Sequence, residues 1–399
     1  MLTRQETGLR FSVSLARDRD PSKAGRALGA SARRELGNAG ADLAFLFFSA
    51  HYAPEAEDLC RAVREELTPR TLLGCTGEGI IAGSEEVETG SAAVLWAACL
   101  PEVRIAPFRL SFPQGADGFA IRGWPDVLET GAEPPACVLL ADPFSTPINE
   151  VLPALADRAP GTAAIGGLAG GGHDLGENRL VFNDEVLEGG LVGTALSGRI
   201  AVRTIVSQGC RPIGEPFVVT KAEQNVIHEL GGSPALDRLQ AVFESLGSDE
   251  RRIAHRALHI GIVIDEHRAR FERGDFLVRN LIGADRNSGS VAIGDEVQEG
   301  QTVQFHLRDA DAASEDLQLL LAAERAKRGK PPLGALLFSC CGRGRALFGR
   351  PNHDATTFRE RVGDLPLAGF FAQGEIGPVG GSNFLHGYTA SLALFSEPE

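Results

Sequence analysis

The chain has 399 residues, 43% of them hydrophobic and 23% charged, with 53 acidic against 39 basic side chains and a net charge of −14. That balance excludes a sequence-independent grip on DNA or RNA, which needs Lys and Arg to neutralise phosphates. No apolar run approaches the roughly 18 residues of a spanning helix, and the opening "MLTRQETGLRFSVSLARDRD" lacks an apolar signal core, so a cytoplasmic protein without membrane insertion is expected.

The first organised stretch is a strand, "LAFLFFSAH" from Leu43, followed by a helical pattern "EAEDLCRAVREEL", a second apolar strand into "TLLGCTGEGI", a turn at Glu88–Gly90 and the strand "SAAVLWAACL". The same order returns from Ala136: "ACVLLADPFS", "INEVLPALADR", "TAAIGGLAGGG", then strands around "RLVFNDEVLEGGLVGTALSG". Ser49 precedes Gly74 by the same interval as Ala141 precedes Gly166, which marks an internal repeat. A block with "SPALDRLQAVFESLG", "LHIGIVIDE", "FLVRNLIGAD" and "GQTVQFHLRD" follows, and it reads as the back half of a further copy. After the helix "SEDLQLLLAAERAKRG", a third copy runs through "LGALLFSCC", "HDATTFRERVG", "LPLAGFFAQGEIGPVGGSNF" and "YTASLALF".

Each unit reads as strand, helix, strand and hairpin. The first strand is continuously apolar and therefore buried on both faces. The fold class is α+β with an α/β character, in which mixed sheets are covered by helices. A chain this long exceeds one ordinary core. Two domains are expected, residues 1–220 and 221–399.

The glycine-rich words "GCTGEG", "GGLAGGG" and "GEIGPVGG" each follow an apolar strand and open no helix, so dinucleotide and P-loop readings fail on context. They read either as tight turns and bulges or as a wall where the backbone approaches a ligand. On the second reading Cys75, Thr76, Glu78, Gly166, Gly167 and Gly374 line the wall. Arg343, in "CCGRGR", is an anion hook or a solvated loop residue, since guanidinium takes a carboxylate in two parallel bonds. Arg279 lies within the strand word "FLVRNLIG", pointing to solvent or into a pocket. Glu375, boxed by glycines and proline, can accept from a ligand amine or hold an arginine; Asn383 and His386 follow it.

The seven cysteines are odd in number and show neither CxxC nor Cys/His spacing, which disfavours zinc and a disulfide framework. Cys340 beside Cys341 invites a nucleophile reading, but a buried strand cysteine is ordinarily a small apolar residue, and no cysteine-hydrolase signature surrounds it.

These words resemble the FIST family, a two-part sensory domain found beside bacterial signalling modules and in a eukaryotic F-box protein. The resemblance is carried by "LLGCTGEGI", "AAIGGLAGGG", "LVGTALSG", "GCRPIGEPFVVTKAEQNVIHELGGSPAL", "FLVRNLIGAD", "LLFSCCGRG" and "GFFAQGEIGPVGGSNFLHGYT". It makes residues 1–220 the amino-terminal and 221–399 the carboxyl-terminal FIST domain. It implies binding of a small molecule, an amino acid or related metabolite, with signalling through a separate partner protein. It transfers no catalytic set and no metal site. One subgroup is linked to haem and nitric-oxide sensing, so haem is the rival ligand, although no c-type attachment motif exists here. The expected pocket takes a ligand carboxylate on Arg343 and its amine on Glu375, with Cys340, Asn383 and His386 beside them. A cysteine-dependent enzyme and a ligand-free interaction scaffold are further rivals.

Overall fold

The computed structural model describes residues 8–115, 118–130 and 134–399. All three copies form as expected. The first comprises strand Leu43–Ser49, helix Ala56–Leu67, strand Thr71–Gly77, the hairpin Ile80–Ala82 with Glu85–Val87, and strand Ala93–Cys99. The second comprises Ala136–Ala141, helix Ile148–Arg158, Ala163–Leu168, the hairpin Leu180–Phe182 with Glu185–Leu187, and Leu191–Gly198. The third comprises Gly334–Cys340, helices Gly344–Phe348 and His353–Arg361, Leu367–Ala372, the hairpin Glu375–Val379 with Ser382–His386, and Thr389–Ser396.

In every copy the first two strands pair in parallel, as a helical crossover requires. The tightest point of that pairing is the same in all three. A Cβ at Gly74, Gly166 or Gly369 would lie 2.0, 1.8 or 1.7 Å from the carbonyl oxygen of Leu46, Leu139 or Leu337, so only glycine fits. This register makes Ser49, Asp142 and Cys340 the equivalent ends of the first strands. Ser49 thus corresponds to Asp142, one residue beyond the Ala141 that equal intervals would match to it.

The copies do not close on themselves. The hairpin of the first copy pairs with the third through Ala82↔Ala368 and Ile80↔Phe370. The hairpin of the second pairs with the first through Leu180↔Cys75. The hairpin of the third pairs with the second through Ile376↔Gly166 and Glu375↔Gly167. Three six-stranded mixed sheets result, each completed by the next copy, with Arg10–Ala16, Val103–Leu110 and Ala201–Gln208 as outer strands.

The sheets share a core that includes Phe45, Phe47, Trp96, Val138, Ile165, Phe338, Phe370 and Phe395, with Phe47 and Phe370 rings 5.0 Å apart. Helices cover the other faces. Helix Ala56–Leu67 buries Leu59, Cys60, Val63 and Leu67, the stripe expected of an amphipathic helix. Helix Pro21–Leu36, capped by Asp20 accepting from the Lys23 N–H at 3.0 Å, packs on it through Gly25 and Gly29. This compact unit holds residues up to Val206, Gln318–Leu385 and Thr389–Glu399.

The second unit holds Ser207–Leu317 and His386–Tyr388. Its seven-stranded sheet runs in the order Cys210–Glu223, Thr302–Arg308, Leu258–Val263, Phe276–Asp285, Ser290–Ile293, Val226–Leu230, Ser233–Pro234. Helices Ala235–Ser245 and Ser248–Ala257 accompany it over a core of Ile213, Val219, Ile260, Ile293 and Phe305. Its pairings are antiparallel, so this block lacks the parallel strand pair that defines a copy. A cut at residues 220 and 221 falls inside strand Cys210–Glu223. The compact units follow the return of the third copy to the first two rather than a single point in the chain.

Candidate functional site

The three glycine words meet because the sheets are interlocked. The Gly170 N–H donates to Thr76 O at 3.0 Å, Glu78 N–H to Phe371 O at 3.0 Å, Phe371 N–H to Gly79 O at 2.9 Å, and Leu168 N–H to Gly374 O at 2.8 Å. Gln373 Nε2 donates to Gly172 O at 2.8 Å. Glycine is needed here for close approach: a Cβ at Gly167 would sit 3.0 Å from that of Ala372, and one at Gly374 would sit 2.9 Å from Leu385 Cδ1. The glycines thus seal copy against copy, which is their turn-and-packing reading. Thr76 is buried in the same seam, its hydroxyl 3.3 Å from Asn178 Oδ1 and accepting the Arg179 N–H at 3.2 Å.

The end of strand Gly334–Cys340 carries the densest polar cluster. Arg343 donates through Nε to Asp354 Oδ2 at 2.7 Å and through Nη2 to Oδ1 at 2.9 Å, with both side chains 1% exposed. Ser339 Oγ donates to the same carboxylate at 2.8 Å, and His353 Nδ1 lies 2.8 Å from it. The His353 ring stacks on Phe348 at 3.5 Å, and the Arg343 guanidinium lies 5.2 Å from that ring. Burial works against the Asp354 carboxylate, but the adjacent guanidinium outweighs it and holds the group well below the usual carboxylate range.

This pair corrects the expectation that Arg343 receives a ligand carboxylate: its fork already grips Asp354 in two bonds. The first copy's hairpin completes the cluster. Glu86 Oε1 accepts the Ala355 N–H at 2.9 Å, and Glu88 accepts the Arg345 N–H through both oxygens at 3.0 and 3.1 Å. Burial, then the charge of Asp354, pushes the Glu86 carboxyl up to about 7.

Glu375 is fully buried where the third copy's hairpin crosses onto the second. Its Oε2 accepts from the Thr389 N–H at 3.1 Å and the Thr389 hydroxyl at 2.9 Å, while its Oε1 has no hydrogen-bond partner. Burial, then the nearby Cys340, raises this carboxyl well above its ordinary value, against the opposing Thr389 bonds and Arg343. The shift favours its protonated form. Cys340 is buried and Cys341 exposed, the Cys341 N–H donating to Ala372 O at 2.8 Å. A hydrogen bond with Cys340 lowers the Cys341 thiol below its ordinary value, against burial and the carboxylates Glu375 and Glu78. Glu78 itself is exposed.

The remaining candidates serve elsewhere. Cys75 is a core residue whose thiol burial pushes well up. Asn383 ties its hairpin to the second copy, accepting the Ala164 N–H and donating to Thr162 O, both at 2.8 Å. Arg279 and His386 belong to the second unit, and Arg279 donates to Asp295 at 2.6 Å. Within the first unit the structure thus gathers Cys340, Arg343, Gly374 and Glu375 with Glu78 and Gly167, while Cys75 lies in the core and Asn383 serves the hairpin. Sequence reasoning missed Asp354 and Glu86. Asp354 had a signal, an acid in the first turn of "HDATTF", where helix N-termini favour carboxylates.

The buried rings of His259, His306 and His353 pack against Tyr388, Phe276 and Phe348 at 4.3, 4.8 and 3.5 Å. Among the described residues, no group of three or more His, Cys, Asp or Glu is placed to hold a metal, and no helix is long and apolar enough to cross a membrane.

Comparison with known proteins matches residues 42–233 to the FIST N domain and residues 235–378 to the FIST C domain. The chain is similar to the uncharacterized protein Rv0628c of Mycobacterium tuberculosis, 44% identical over 387 residues, covering 97% of this chain and 100% of that protein. It is also similar to the uncharacterized protein Mb0898c of Mycobacterium bovis, 42% identical over 97% of this chain and 99% of that protein. An F-box/LRR-repeat protein of Arabidopsis thaliana shares 29% identity over 136 residues, 30% of this chain and 26% of its own length. With both halves matched in order over nearly its whole length, the chain belongs to the FIST family.

Proposed function

We propose that this protein is a cytoplasmic small-ligand sensor that binds an amino acid or related amine-bearing metabolite and signals through a separate partner protein. The observation supporting the reading is Glu375: a carboxyl with no exposed surface, one oxygen fully used by Thr389 and the other without a partner. An unsatisfied buried acceptor costs about 1–3 kcal/mol. A ligand N–H group reaching Oε1 recovers that cost, and an ammonium group would draw the neutral carboxyl into its charged form. Arg343 is taken by Asp354, so the amine half of the expected zwitterion recognition is retained and the carboxylate half is not assigned to this arginine.

The test is a thermal-shift screen of the purified protein against amino acids, simple amines, small carboxylates and haem. A ligand at 100 times its dissociation constant adds about 2.7 kcal/mol, enough to move the midpoint by at least roughly 1–2 °C in a chain this long. Shifts confined to amine-bearing compounds support the reading. Silence across the panel favours a ligand-free scaffold, and a shift with haem alone favours a gas sensor.

A further inference from the structure

In the second unit, strand Leu258–Val263 pairs with strand Thr302–Arg308, which sets His259 opposite His306 and Ile260 opposite Phe305. Ile260, Phe305 and Leu307 belong to the core of that unit, so His259, His306 and Arg308 share the other face of the sheet. There His259 and Arg308 are diagonal neighbours on adjacent strands, within reach of one another for long side chains. His259 is 6% exposed, and neither of its ring nitrogens has a hydrogen-bond partner. Arg308 is half-buried, its shielded Nε is equally without a partner, and it pairs with no Asp or Glu among the described residues. Unmet buried nitrogens are costly, and three of them lie on this one face.

One aromatic ring serves both groups. Tyr388, from the word "FLHGYT", has its ring 4.3 Å from the His259 ring and 5.0 Å from the Arg308 guanidinium carbon. The Tyr388 hydroxyl donates to Asn280 Oδ1, so this amide oxygen, opposite His259 in register, is turned to the phenol rather than to the imidazole. The Tyr388 carbonyl accepts the Gly209 N–H at 3.0 Å. The backbone at Tyr388 is held at φ 64°, a left-handed conformation that is costly for a bulky side chain. A strained tyrosine thus orders two groups whose own polar atoms are unmet.

We propose that His259, Arg308 and Tyr388 form an oxyanion site in the second unit that takes the phosphate group of a small phosphate monoester. The Arg308 fork donates to two phosphate oxygens through Nε–H and one Nη–H. The His259 N–H donates to a third. A carboxylate lying on the fork spends both its oxygens there, whereas a phosphate brings a further oxygen for the imidazole on the neighbouring strand. Half-buried Arg308 and exposed Asn280 leave the rim open, so the ester oxygen can carry the rest of the molecule outward. This site is distinct from the Glu375 reading: its probes carry no amine, and the amine screen stands or falls apart from it.

The experiment titrates inorganic phosphate into the full chain at neutral pH and reads the phosphorus NMR line width. Saturable broadening with one site per chain is expected, with phenyl phosphate binding at least as tightly and propionate competing more weakly. Arg308→Met and His259→Phe should each weaken phosphate binding at least about tenfold, the loss of a hydrogen bond to a charged group. Arg308→Lys keeps the charge without the fork and should fall between Arg308→Met and the unaltered chain. Because no carboxylate is left behind, Arg308→Met should keep the thermal midpoint of the unliganded protein. A lowered midpoint with phosphate binding unchanged would make Arg308 a packing residue and overturn the proposal. Broadening that never saturates, exclusion of phenyl phosphate, or propionate competing as well as phosphate would each overturn it too.

Discussion

Arg343 and Asp354 lie eleven residues apart and meet in a two-bond ion pair that is almost wholly shielded from solvent. Taking both charges out of water is costly, and the pair persists because Ser339 and His353 satisfy the carboxylate as well. Removing one partner leaves the other charged and buried. Arg343→Met should therefore cost about 3–5 kcal/mol, whereas Arg343→Met with Asp354→Leu should cost much less. Urea unfolding of the two variants, compared with the unaltered chain, measures the difference. Equal losses in both would mean that packing rather than charge holds this corner.

The glycine register predicts a second contrast. Alanine at Gly74, Gly166 or Gly369 would place its methyl within 2.0 Å of a facing carbonyl oxygen. Each substitution should exceed the roughly 1–3 kcal/mol of an added core methylene and lower the yield of folded protein. Gly283, in a strand of the second unit, has open space where its Cβ would lie. Gly283→Ala should change stability by no more than about 0.5 kcal/mol. Thermal midpoints of the four variants test both halves of the claim.

The two units should respond to pH in opposite directions. Glu86, in the first, has its carboxyl raised from 4.5 to about 7 chiefly by burial, so the folded form binds its proton more tightly than the unfolded chain. Its contribution is full below about 4.5 and is lost as pH rises through about 7, on the order of 3 kcal/mol. His259 and His306, in the second, are lowered from 6.5 to about 4, chiefly by burial. Their contribution is full above about 6.5 and is lost as pH falls through about 4. Hydrogen exchange followed by mass spectrometry between pH 4.5 and 8 should show protection falling with pH in strand Leu367–Ala372 and rising in strand Leu258–Val263, after correction for intrinsic exchange. A common trend in both strands would contradict the assignment.

The first strand of each copy was legible because "LAFLFFS", "ACVLLA" and "GALLFSC" are continuous apolar runs, a pattern set locally by burial on both faces. The partner of each hairpin was not legible. The order strand, helix, strand, hairpin does not say which sheet a hairpin joins, and only the packing of all copies sends strand Ile80–Ala82 to Phe370. The role of Arg343 failed for the same reason. In sequence it sits in a glycine-flanked loop, and its burial depends on Asp354, eleven residues on in helix His353–Arg361, whose neighbours are tied down by Glu86 and Glu88 from the distant first copy. Glu375 was singled out for its place in a glycine- and proline-bounded turn, while the open oxygen of its carboxyl is visible only once Thr389 is seen to occupy one oxygen alone.

The most direct measurement is calorimetric titration of the best ligand from the screen into the unaltered protein and Glu375→Gln, each in two buffers of different ionisation enthalpy. Glutamine keeps the shape and the Thr389 bond but cannot ionise. The account predicts that binding by the unaltered protein releases about one proton per site, as the neutral Glu375 carboxyl ionises against the ligand amine, and that the variant binds at least about tenfold more weakly without that release. Equal affinity and equal proton exchange in the two proteins would contradict it.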